Sequence, residues 1–147
     1  MEQAGGKLGD AHITFRATGI TPQTGTSPIF TVTAPIRVLD IVGEVTTVMQ
    51  TQANSINLAA IPTVGVSVDI CAVLNVTAAA VGTTFGITGT LANAMTSNAN
   101  GVLVSQAASV MIPAGTINQT ASASSTGSIR WIIRYQPLVP GARVFSA

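Results

Sequence analysis

Charged side chains are what this sequence has least of. Only 7% of its 147 residues are Asp, Glu, Lys or Arg, against roughly 25% in typical soluble domains. The formal net charge is +1, so the basic footprint that nucleic-acid binding requires is missing and no nucleic-acid partner is expected. Sparse charge combined with 47% apolar residues also excludes charge-driven disorder. There is one cysteine, Cys71, which excludes an intrachain disulfide framework. The residues before Ile13 include Glu2, Lys7 and Asp10 and form no apolar run, so no secretory signal is visible and synthesis in a cytoplasm is expected. The uncharged stretch Val76–Met95 has roughly the length of a membrane span. It is broken by Gly82, Gly86 and Gly89 and rich in Thr, so it reads as strand and loop, with no membrane partner.

What is present favours β-structure. The chain has the length of one domain, enough for a core without covalent staples. It carries 20 Thr residues, together with many Val and Ile, and these types suit a pleated, half-buried surface. The few charges are segregated. All five acids and three of the bases precede Ile70, the 60 residues from Ile70 to Ile129 carry none, and Arg130, Arg134 and Arg143 follow. A neutral stretch of that length fits a surface covered by partner subunits, or a surface coated with Thr, Ser and Asn.

Residues 1–27 read as an extended, Gly-rich N-terminal arm anchored by Ile13, Phe15 and Ile20. Residues 28–136 read as the folded domain, and residues 137–147, with Pro137 and Pro140, as an extended C-terminal tail. Within the domain, Ile29–Ala34, Ile36–Gln50 and Ile56–Ala60 have strand character, with Gly43 placed as a bulge or break. Val64–Asn75 alternates most cleanly: Val64, Val66, Val68, Ile70, Ala72 and Leu74 share one parity, which predicts a half-buried strand with Cys71 on the more polar face. Leu91–Thr96 reads as a helical turn or an edge strand, and Gly101–Gln106 and Ser109–Pro113 as strand pieces. Gly115–Thr120 and Ser128–Gln136 read as a hairpin closed by the small-residue loop Ala121–Gly127. On the return strand Ile129, Trp131, Ile133 and Tyr135 share one face, read as the core face with a sugar-stacking or partner-binding surface at Trp131 and Tyr135 as the alternative, and Arg130, Ile132 and Arg134 share the other. About eight short strands and no helix of ordinary length predict an all-β domain, a β-sandwich or jelly roll.

Catalytic chemistry finds little to work with. His12 is the single histidine, and a nucleophile–base site built on it would place its base in the arm. Asp10 and His12 lack further ligands to complete a metal site. Asp40 and Glu44 would stand roughly 13 Å apart along a strand, too far for paired-carboxylate chemistry, and pairing with Arg130 or Arg134 or with a neighbouring subunit is the better reading. Cys71 has no activating neighbour in sequence, and Gly86–Gly89 is not followed by the Lys-Ser/Thr of a phosphate loop. Asn75-Val76-Thr77 and Asn118-Gln119-Thr120 match the glycosylation sequon by chance if the chain stays in a cytoplasm. The expectation is a protein that is not an enzyme, with no cofactor and no metal.

The C-terminal runs Gly115-Thr116-Ile117, Ser125–Trp131, Tyr135–Leu138 and Gly141–Val144, with Ile56–Leu58 and Val64–Leu74 before them, resemble small β-rich virion structural proteins of tailed bacteriophages. The resemblance covers residues 40–147 and contains no diagnostic motif. It implies a head decoration (cement) protein assembled in the bacterial cytoplasm and located in the virion, with the major capsid protein and copies of itself, as a dimer or trimer, for partners. The alternative it leaves open is a tail or tail-fibre component that binds a receptor or carbohydrate. No catalytic residue carries over. The residues expected to make subunit contacts are Phe15 and Ile20 in the arm, Arg130 and Arg134 on the face away from the core, and Arg143 with Phe145 in the tail.

Overall fold

The computed structural model describes residues 12–15 and 20–147. The described residues form twelve strands and no helix. In chain order these are β1 (His12–Phe15), β2 (Gly25–Val32), β3 (Ile36–Thr47), β4 (Ser55–Pro62), β5 (Val68–Asp69) and β6 (Leu74–Asn75), then β7 (Thr84–Gly86), β8 (Thr96–Asn98), β9 (Val110–Ile112), β10 (Gly115–Ala121), β11 (Ser128–Pro137) and β12 (Val144–Ser146). One antiparallel sheet has the order β1-β11-β3-β7-β8, with β9 also on β3. The facing layer is β10-β4 with β5 and β6 on the far side of β4, and the β12-β2 ribbon beside β10. The two layers make a β-sandwich.

The core follows from period two on the long strands. On β11, Ile129, Trp131, Ile133 and Tyr135 are buried as their parity predicts. On β3 the parity changes midway: Ile36 and Val38 point inward, then Ile41, Gly43 and Val45. The register explains the change, because Arg134 pairs with Asp40 while Tyr135 pairs with Val38, leaving Leu39 as the extra residue of a bulge. Gly43, expected to be the bulge, is instead a regular pairing partner of Trp131. Its task is space: a Cβ there would lie 2.7 Å from Trp131 Cζ3.

Several segments depart from the strands expected of them. Gly115–Thr120 and Ser128–Gln136 do not form a hairpin, since β10 pairs with β4 and β11 with β1 and β3. The intervening loop crosses from one layer to the other, which brings the strands face to face and lets Trp131 Nε1 donate to Gln119 Oε1 at 2.9 Å across the core. Val64–Asn75 is not one strand, and only Val68–Asp69 and Leu74–Asn75 pair with β4. Gly65 takes φ +121° and ends the extended run, so Val64 and Val66 are 89% and 84% exposed, whereas Ile70 and Cys71 are both buried. Gly101–Gln106 forms no strand, while Leu91–Thr96 contributes only the first residue of β8.

Boundaries drawn at residues 27 and 136 fall within paired structure. β2 begins at Gly25, and β12 pairs with it through Val144 and Val32. β1 lies along β11, and Ile20 and Ile129 exchange backbone hydrogen bonds at 2.7 and 2.9 Å.

Candidate functional site

The outer face of the six-stranded sheet is built by register. Arg130 stands opposite Glu44, Ile132 opposite Val42, and Arg134 opposite Asp40. Directly opposed residues share a face, so the order is ion pair, apolar pair, ion pair. Arg130 Nη2 meets Glu44 Oε1, and Arg134 Nη2 lies 2.5 Å from Asp40 Oδ2. These carboxylates therefore pair within the chain, as one of the two readings of Asp40 and Glu44 expected. Four of the scarce charges are consumed against each other.

A loop closes over this face. The Gln106 backbone N–H donates to Asp40 Oδ1 at 3.3 Å, and Gln106 Nε2 donates to Val38 O and Ala108 O at 3.2 and 2.6 Å. Between loop and sheet runs an open, mainly apolar groove of about 420 Å³, lined by Val42, Ile132, Leu103 and Val104 with Asp40 and Arg134 at its rim. Leu103 reaches over Gly86, where a Cβ would lie 2.7 Å from its Cδ2. Val102 and Val104 are 76% and 84% exposed.

A second cleft, of about 160 Å³, opens at the side of the sandwich where β5 and β9 leave the layers uncovered. Pro62, Val66, Val68, Leu91, Met111 and Pro113 are among its lining residues. Of these, Val66 and Met111 are largely exposed, as is Val64 just before Val66 in the chain. The sequence reading missed this cleft because alternation assigned Val64 and Val66 to the core. The signal against that assignment was Pro62 followed by Gly65, a turn pair inside an otherwise regular run.

A third hollow, about 280 Å³, is lined by His12, Tyr135, Ala142, Arg143 and Val144. The His12 ring stacks on Tyr135 at 5.5 Å, and the Tyr135 hydroxyl accepts a hydrogen bond from the Val144 N–H at 3.2 Å. Tyr135 and Trp131 are core residues. Asp10, considered as a partner of His12, lies outside the described residues.

The remaining expected contact residues are distributed. Phe15 stands opposite Ile132 in register, and Ile20 packs against the core beside Ile129. Arg143 is exposed, its backbone carbonyl accepting from the Thr33 N–H at 3.0 Å and its own N–H donating to Thr33 Oγ1 at 2.9 Å. Phe145, on β12 opposite Thr31, is 49% exposed. The structure thus gathers Arg130 and Arg134 on one face and holds Phe145 on β12, with Arg143 directly before that strand.

Cys71 is buried and accepts a hydrogen bond from the Leu58 N–H at 3.3 Å. Burial pushes its thiol up, the negative charge of Asp69 adds to the effect, and the Leu58 N–H opposes it. Such a thiol is a poor nucleophile at neutral pH. Among the described residues no three His, Cys, Asp or Glu side chains converge as a metal site.

No protein-family model matches the chain. No curated protein matches it. Among solved structures, one described as the structure of infectious bursal disease virus Gx strain aligns at 13% identity with a TM-score of 0.24. That alignment covers 95% of this chain and 36% of the other, so the chain spans about a third of that protein's length. Identity and TM-score at this level define no shared family.

Proposed function

We propose that this chain is a non-enzymatic structural subunit of a virus particle, a head decoration (cement) protein that binds an assembled phage shell in many copies. The observation that carries this reading is the character of the surface. Valines that a free monomer would bury stand in solvent, with Val64, Val66, Val102 and Val104 all more than three-quarters exposed. Four charges of the outer sheet face are neutralised in pairs. A surface of this kind gains by being covered, and covering it is what a shell subunit does.

The mechanism is mass action. A protein that binds the assembled shell and not its separated subunits stabilises the assembly in proportion to its occupancy. The groove beneath Leu103 and Val104 is the assigned seat for the major capsid protein: its apolar floor supplies affinity, and the Arg134–Asp40 pair at its rim fixes register.

The test is cryo-electron microscopy of the native particle together with binding to undecorated heads. Density at capsomer junctions of the outer shell, and loss of head binding on Val104→Asp with the fold intact, are expected. Density confined to the tail or its fibres would overturn the cement assignment in favour of an attachment component.

A further inference from the structure

We propose that the cleft between β5 and β9 seats a second copy of this chain in a two-fold contact, with Arg37 of each copy facing Asp69 of the other. The inference rests on the assembly reading above and refines it by assigning the self-contact to the cleft between β5 and β9 and not to the groove under Val104.

The cleft has the anatomy of an interface centre. Val66, Val68, Leu91 and Met111 line it, all four are exposed, and no charged side chain is among its lining residues. Interface cores are depleted of charge, with polar groups confined to a rim.

The flanks of the cleft carry opposite charges. Arg37 stands opposite Met111 in the β3–β9 register, so it flanks the cleft on the outer face of the six-stranded sheet. Asp69 follows Val68 on β5 and stands opposite Ala59, so it flanks the cleft on the outer face of the other layer. Both are exposed, and both stand outside the two cross-strand ion pairs. One side of the cleft therefore carries a cation and the other an anion.

A two-fold axis through the cleft exchanges its sides. The cationic flank of one copy then meets the anionic flank of its mate, twice, around a shared apolar centre. Self-complementarity of this kind is the requirement of an isologous contact. Like charges on both flanks would have opposed it. A second copy is the occupant that this pattern fits without any further assumption about a partner's charge.

The experiment is sedimentation of the purified full chain, without shells, over a wide concentration range. The variants are Arg37→Asp, Asp69→Arg and the two combined, each checked for an unchanged thermal unfolding midpoint. Wild type is expected to be dimeric at high concentration. Each single reversal is expected to weaken the dimer by about tenfold or more, and the double reversal to restore it. A monomer at every concentration, a trimer, or a dimer indifferent to both reversals would overturn the inference. So would reversals that reduce head binding while leaving self-association intact, because the capsid protein would then be the occupant. Head binding by a strictly monomeric chain would sink this contact and leave the cement reading standing. A reversal-sensitive dimer that binds no head would do the opposite.

Discussion

Gly43 and Trp131 show how single side chains determine this core. The indole fills the place that a Cβ on the facing glycine would occupy, and neither backbone can yield without breaking the β3–β11 ladder. Gly43→Ala is expected to destabilise by about 1–3 kcal/mol through overpacking, measured as a shift of the urea midpoint with the m-value unchanged. Trp131→Phe keeps much of the apolar volume but leaves the buried Gln119 oxygen without its donor. A loss of at least about 1–3 kcal/mol is expected in the same assay. Cys71 gives a pH signature. The fold favours the neutral thiol, so the unfolded chain releases the proton first. Its contribution is fully present below the ordinary thiol range and declines as pH rises above about 8.5. Chemical unfolding across that range should show a downward slope in wild type that Cys71→Ala lacks.

Connections decide what the strands become. The loop between β10 and β11 crosses the sandwich, and its last residue, Gly127, takes φ +101°. A Cβ there would also lie 2.6 Å from Val48 O and 2.8 Å from Met49 Cα. Gly127→Ala combines a strained backbone with a clash against main chain, and a loss of about 2–4 kcal/mol is expected from thermal or urea unfolding. Asn54 holds the other side of this crossing. Its Oδ1 accepts from Ser122 Oγ and from the Ala123 N–H at 3.3 and 3.2 Å, and its own N–H donates to Thr77 Oγ1 at 3.1 Å. The Leu39 bulge is the other deciding irregularity. It turns the odd-numbered half of β3 inward, so that Glu44 and Asp40 face outward together and meet Arg130 and Arg134.

For the molecule as a whole, scarcity of charge is the governing property. Its stability comes from apolar burial between two sheets, and its described ion pairs are partly solvated, with Arg130 and Glu44 at 41% and 36% exposure. Such pairs are each worth under about 1 kcal/mol. Raising sodium chloride from low to molar concentration is therefore expected to move the thermal midpoint only slightly. A large fall would show that electrostatics carry more of the fold than the structure assigns. The same neutrality leaves little charge repulsion between copies, which suits the proposed assembly.

Much of this was legible in the sequence. Period-two alternation identified β11 and its buried face, Thr-rich composition and absent helical period identified the all-β class, and the charge inventory pointed Asp40 and Glu44 toward Arg130 and Arg134. These follow from local rules, because side-chain direction along a strand is set by the pleat itself. Other features depended on which strands face one another. A loop of small residues reads identically whether it closes a hairpin or crosses between layers, so the separation of β10 from β11 belongs to tertiary packing. Alternation at Val64 and Val66 names a face and not what covers it. Neither valine lies in a strand of either layer, and only the folded arrangement left both in solvent, with Val66 in one cleft with Leu91 and Met111.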